Sequence, residues 1–513
     1  MTRGPSMLIR TMTGARGVLA ALAVTGLVGA VAYTTTAVTD HAAAAEPLDR
    51  YYHQALTWQS CAEPGLDGLG AQCTDITVPL NYAEPQGRTT TVAISRIPAT
   101  DPARRRGVML SNPGGPGGAG LDYFVDTGKA MTADVRAGYD LIGMDPRGVG
   151  RSAAVDCRWP TGFGLQFAGV DAHGFAESVA TQADLAARCA AAEGDRLPYF
   201  TTRNTARDMD VIRGVLGEEK LNYLGTSYGT YLGAVYTQMF PERSDRFVLD
   251  STVDPDRYGA SGLVQLMGPP NEAALDAWAE WTAVHADEYR LGATGPEVRA
   301  GVENLIARAA AEPVRIGDFE VDAHHLPLVL YIAFDSPNQY PLAARQIREL
   351  TDAAAGVRVT PDDDLAAKLD VILRARPRDS SPQMAVLCGD VGVPRDPRWY
   401  LRNIEAARAT QPVFAALAEN ISPCAFWPPP VESPTVIGNS VPALIIQSTG
   451  DTRTAYAGAL GMHRALTASR LVTLENVAIH SIFGRYPNAC VYDAVNTYLR
   501  DGTLPGADLT CRD

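Results

Sequence analysis

The chain has 513 residues, with 44 Lys+Arg against 58 Asp+Glu, giving a formal net charge of −14. Its 46% hydrophobic and 20% charged residues exclude an intrinsically disordered chain, and the acidic balance argues against non-specific nucleic-acid binding. The length fits two or three domains, or one large domain with an insertion.

At the N-terminus, Arg3, Arg10 and Arg16 precede an apolar run from Val18 to Ala32 and a small, polar stretch ending at Ala45. That order predicts a secretory signal peptide over residues 1–45, cleaved near Ala43–Ala45, and a secreted product. The alternative is an uncleaved anchor helix, for which the run is short of the roughly 20 apolar residues of a full span. No later stretch reads as a membrane span, so no stable membrane partner is expected. The eight cysteines agree with export, since an even number in an exported chain reads as disulfides. They fall into four local couples, Cys61–Cys73, Cys157–Cys189, Cys388–Cys424 and Cys490–Cys511. No Cys/His cluster has zinc spacing, and the adjacent His324 and His325 read as a surface feature. No metal and no organic cofactor is expected.

Residues 46–88 read as a disulfide-tied N-terminal extension. From Thr89 to residue 255 short apolar runs alternate with helical stretches. Strands are predicted at Thr91–Ile97, Val108–Ser111, Leu141–Met144, Leu221–Leu224 and Phe247–Leu249, and helices at Ala183–Ala192, Ala206–Leu216 and Tyr231–Phe240. Runs that are apolar on consecutive positions suit strands buried on both faces. Such alternation predicts a mostly parallel sheet with right-handed crossovers, an α/β fold. Residues 256–434 are Ala-rich and helical, punctuated by Gly-Pro-Pro and Trp-Pro-Pro-Pro, and read as a helical lid. Strand-type sequence returns over 435–513, at Ala443–Gln447 and Leu471–Leu474.

The motifs with chemical content fall at the ends of these strands. Gly225-Thr226-Ser227-Tyr228-Gly229 fits G-x-S-x-G between a predicted strand and helix, the layout that exposes a nucleophilic serine on a tight turn. Ser111 to Gly118, rich in glycine, follows an earlier strand. A second backbone donor for an oxyanion comes from such a loop, so Gly115 N–H and Tyr228 N–H are the expected pair. An ordinary Gly/Pro turn is the competing account, and no Gly-Lys-Ser/Thr follows to make a phosphate loop. His480 comes after the last predicted strand, where the general base belongs in the order Ser, Asp, His. Asp451 ends the strand before it and is the expected orienting acid; Asp250 is its rival, and Asp254 and Asp256 read as turn residues. Gly143 to Ser152 reads as a tight turn pinned by an Asp145–Arg147 contact.

Asn112–Gly118, Asp145–Ser152, Gly225–Gly229, Gly450–Asp451 and His480 together resemble the secreted tripeptidyl aminopeptidases of actinomycetes. These are α/β-hydrolase peptidases akin to the prolyl aminopeptidases, and the likeness, from Trp58 to Cys511, includes their TAP-like C-terminal segment. Two positions depart from the pattern: Ser481 and Ser251 stand where glycine is usual. The resemblance implies the α/β-hydrolase fold and a serine aminopeptidase; a monomer is the separate expectation for its assembly. Ser227 would attack a peptide carbonyl near a free N-terminus, form an acyl-enzyme, and release short peptides. It also implies an acidic lid residue for the substrate's α-ammonium, for which Asp390 is the candidate. A carboxylesterase on the same scaffold and a catalytically silent binding protein are the alternatives.

Overall fold

The computed structural model describes residues 48–375 and 379–512. The expected signal peptide lies outside them. Among the described residues no helix is long and apolar enough to cross a membrane.

Twelve strands are described: β1 (Gln59–Ser60), β2 (Gln72–Pro79), β3 (Thr89–Ile97), β4 (Gly107–Asn112), β5 (Tyr139–Met144), β6 (Leu221–Thr226), β7 (Ser244–Asp250), β8 (Val314–Ile316), β9 (Phe319–Val321), β10 (Ala443–Ser448), β11 (Arg470–Leu474) and β12 (Leu509–Cys511). Ten of them form one sheet in the order β1-β2-β3-β5-β4-β6-β7-β10-β11-β12. From β5 to β12 every neighbouring pair is parallel, while β1, β2 and β3 join antiparallel. β4, β6 and β10 are buried at every position, because helices cover both faces and leave no polar side. The strand order doubles back at β4, so consecutive strands diverge there and a crevice opens at their carboxyl ends.

Two expectations need correcting here. Residues 46–88 are not merely an extension, since β2 pairs with β3 along its whole length. Ile76 and Val78 are fully buried there while Asp75 and Thr77 face outward, the alternation of a sheet with one covered face. The lid is also not confined to 256–434. Phe167, Ala168 and Phe175, from the long connection after β5, lie in the same buried cluster as the lid residues Trp278, Leu330 and Phe414.

The lid carries helices Gly262–Val284, Gly295–Ala311, Leu326–Ala333, Tyr340–Ala354, Asp363–Arg374, Ser381–Asp390 and Pro397–Ala407, with β8 and β9 as a small hairpin. The first of these runs through Pro269 and Pro270 instead of stopping at them. All four expected disulfides are present.

Candidate active site

β6 and the helix Tyr228–Met239 meet at Ser227, whose φ of 57° and ψ of −125° lie in a region L-residues rarely occupy. Such a conformation persists only where the surroundings enforce it. Here the Ser227 N–H donates to the carbonyl of Asp250 at 2.9 Å. The two motif glycines leave room for the turn: a Cβ on Gly229 would lie 2.5 Å from the Asn112 carbonyl oxygen. Ser227 is half-buried at the helix N-terminus, where the dipole favours negative charge.

The loop after β4 packs directly on this turn. Gly114, at φ 97°, would place a Cβ 2.8 Å from the Ser227 Cβ and 3.1 Å from the Tyr228 nitrogen, so only glycine fits. The Gly114 N–H is held by Asn112 Oδ1 at 3.0 Å. Tyr228 opens its helix, so its N–H has no partner within that helix. The Gly115 carbonyl accepts from Gln383 Nε2 of the lid at 3.3 Å.

Asp451 follows β10 and His480 follows β11. The His480 Nδ1 lies 3.0 and 2.9 Å from the two Asp451 carboxylate oxygens. Asp451 is 1% exposed and also accepts from Arg453 N, Thr454 N and Thr454 Oγ1 at 2.8, 2.9 and 2.7 Å. Burial works against its charge, but the His480 imidazole and these donors hold its carboxyl below the usual range. An anion so placed fixes the imidazole with Nδ1–H toward the acid and Nε2 free.

Asp250 is not the partner of His480 Nδ1. Its carboxylate accepts from Ile482 N at 3.0 Å and Phe483 N at 2.9 Å, and burial pushes its carboxyl up to about 6 against those bonds. Its carbonyl holds Ser227 and its side chain holds the loop just after His480, so one residue ties the two loops together. Ser251 and Ser481 both adopt positive φ, 60° and 67°, which explains why glycine suits either place. The Ser251 hydroxyl accepts from Ser481 N at 2.8 Å. On the lid side, the His480 N–H donates to Asp335 O at 2.9 Å, and Arg485 joins His480 O to the Asp335 carboxylate at 2.8 and 3.2 Å. Ser227 and His480 form no direct hydrogen bond; Asp250 links their two loops instead.

The other expected residues lie elsewhere. Asp390 is 7% exposed and its oxygens already accept from Thr202 N, Thr202 Oγ1 and Tyr258 Oη at 2.7, 2.5 and 2.8 Å. This differs from a carboxylate open to a substrate ammonium. Burial pushes it up to about 6, with the Thr202 and Tyr258 bonds opposing. Asp145 forms no hydrogen bond or ion pair with Arg147. It accepts from Gly120, Leu121 and Arg151 backbone N–H groups, whereas Arg147 forms a buried pair with Asp208 at 2.5 Å. Asp254 does accept from Asp256 N in a turn. His324 contacts Phe167 O and Glu177, and His325 contacts Asp322, both half-buried.

Sequence comparison matches residues 107–288 to the α/β hydrolase fold family and residues 411–511 to the TAP-like protein family. Ser227 falls in the first segment and Asp451 and His480 in the second. Fold and matches together define a serine hydrolase. The chain is 35% identical to a tripeptidyl aminopeptidase of Streptomyces lividans, an alignment covering 89% of this chain and 86% of that protein. It is 28% identical to serine protease Hip1 of Mycobacterium tuberculosis, over 89% and 91%. Carboxylesterase B of the same organism is 28% identical, over 89% of each chain. The chain belongs to the tripeptidyl aminopeptidase family of serine peptidases.

Proposed function

We propose that this protein is a secreted serine exopeptidase that removes short peptides, tripeptides foremost, from free N-termini. Ser227 Oγ attacks the scissile carbonyl while His480 Nε2 takes its proton. The carbonyl oxygen becomes an oxyanion that receives the Tyr228 and Gly115 N–H groups. His480 then gives the proton to the leaving amine, and the C–N bond breaks to leave an acyl-enzyme on Ser227. Water, deprotonated by His480, attacks that ester; the bond from the acyl carbon to Ser227 Oγ breaks, Oγ takes the proton back from His480, and the peptide leaves as its carboxylate. Asp451 keeps the imidazole in its tautomer and stabilises the imidazolium. Secretion rests on the N-terminal signal pattern and agrees with the four disulfides.

The observation that carries this reading is the Asp451–His480 pair, held to the Ser227 turn through Asp250. Likeness to the Streptomyces lividans tripeptidyl aminopeptidase favours peptides as substrates, and likeness to the mycobacterial carboxylesterase B gives the ester reading as the second. Hydrolysis of a free-amine tripeptide amide, compared with a short acyl ester, separates the two. Ser227→Ala should lower kcat/KM by several orders of magnitude, about 10⁴-fold or more, in protein with an unchanged melting temperature. Retained turnover would remove Ser227 from the reaction.

A further inference from the structure

The buried cluster around Asp390 joins three parts of the molecule. Thr202 opens the helix Thr202–Val215, whose N-cap Thr201 accepts from Asn204 N. Tyr228 opens the helix that Ser227 precedes, and Asp390 ends the lid helix Ser381–Asp390, two residues beyond a disulfide cysteine. All three side chains are buried, as is Tyr258.

The direction of the bonds can be assigned. Thr202 Oγ1 lies 2.5 Å from Asp390 Oδ2 and 2.7 Å from Tyr228 Oη. A hydroxyl has one hydrogen, and a carboxylate can only accept. The threonine therefore donates to Asp390 and accepts from the Tyr228 phenol. Tyr258 Oη donates to the same carboxylate oxygen at 2.8 Å, and its ring stacks on Tyr231 at 3.7 Å between centroids. The chain of bonds thus runs from the lid carboxylate through the Thr202 hydroxyl to the phenol of Tyr228, the residue whose backbone N–H faces the expected oxyanion.

We propose that Asp390 and Thr202 are positioning residues that hold Tyr228 at its phenol, so that its backbone N–H stays aimed at the oxyanion. The inference rests on the Ser227 reading above and deepens it. A backbone donor is useful only if it points where charge develops, and the first residue of a helix lacks the N–H bond that fixes later residues. The phenol bond supplies a second anchor for Tyr228. Because the carboxylate sits on the lid, the donor's aim also depends on how that helix is seated.

Four variants test this, Asp390→Asn, Thr202→Val, Thr202→Ser and Tyr228→Phe. Turnover is counted per Ser227 titrated by a fluorophosphonate, so that only folded protein enters. Asp390→Asn, Thr202→Val and Tyr228→Phe should lower kcat about tenfold, equally on a free-amine tripeptide amide and an N-blocked ester, with KM within about twofold. Thr202→Ser, which keeps the hydroxyl, should restore kcat to near the parent value. A KM rise for Asp390→Asn confined to free-amine substrates would overturn the proposal in favour of an ammonium ligand. Parent-like kcat in Thr202→Val, or a Thr202→Ser as poor as Thr202→Val, would overturn it too. A parent enzyme that cleaves only the ester would refute the aminopeptidase reading and still leave the network measurable on the ester.

Discussion

Ser251 and Ser481 occupy backbone conformations that favour glycine, and they meet, hydroxyl to amide, beside His480. Replacing Ser251 by glycine removes two opposed things. The left-handed conformation costs a non-glycine residue about 1 kcal/mol, and a buried hydrogen bond contributes a similar amount. Ser251→Gly should therefore barely move the melting temperature while lowering kcat several-fold, as the His480 loop loosens; unchanged kcat would show the bond to be idle. Asp250 gives a pH-dependent prediction. Burial raises its folded-state pKa to about 6 from an ordinary value of 3.8, so between those values the folded protein binds more protons than the unfolded chain. Its stabilising contribution is present below about pH 4 and lost as pH rises through about 6. The melting temperature of the parent relative to Asp250→Asn should therefore rise as pH falls from 7 to 4, and melts across that range check the sign. The placement of Ser227, Asp451 and His480 just beyond strands was legible in the sequence, because each follows an apolar run ended by turn residues. The Arg147–Asp208 pair was not. Its members are 61 residues apart, and Asp208 belongs to a helix whose charged residues look solvent-facing until the fold buries them.

Among the elements, the long buried strands were readable and the short or half-polar ones were not. β4, β6, β7 and β10 are runs apolar enough to stand out, and the structure extends each by a residue or more. β2 escaped because its outward positions are polar, and β1, β8, β9 and β12 because two or three residues show no period. In the lid the Gly-Pro-Pro step does not interrupt its helix. Pro269 and Pro270 lie inside a helix whose next residue, Asn271, bonds Met267 O within the helix and Thr452 O beyond it, so a tertiary bond anchors the helix just past the two residues that lack amides. The lid helix Ser381–Asp390 is clipped by Cys388–Cys424, 36 residues apart in sequence. Replacing both cysteines by serine should destabilise the protein by roughly 3–4 kcal/mol, seen as a lower denaturation midpoint. A smaller loss of kcat should accompany it, because the same helix carries Asp390.

Across the whole molecule, the Ser227 and His480 loops are held from both sides. The sheet supplies Asp250 and Ser251 from below, and the lid supplies Asp335 and, through Arg453, a bond to Tyr331 O. Arg485→Ala cuts the side-chain link between the lid and the His480 loop. An ion pair this exposed adds at most about 1 kcal/mol, so the melting temperature should hardly change. Activity should fall about 3–10-fold through looser placement of His480, and equal losses in stability and rate would argue against a positioning effect. The sheet's two rims share a further trait. β1 and β12 are only two and three residues long, and each is tethered next to a disulfide, Cys61–Cys73 and Cys490–Cys511. Short border strands offer little template for another chain, and β1 covers only Gln72 and Cys73 of the eight-residue β2. Thiol reductants should thus peel these selvedges before the interior yields, and self-association into intermolecular ribbons, detectable by light scattering, would set the shelf life of the enzyme outside an oxidising milieu.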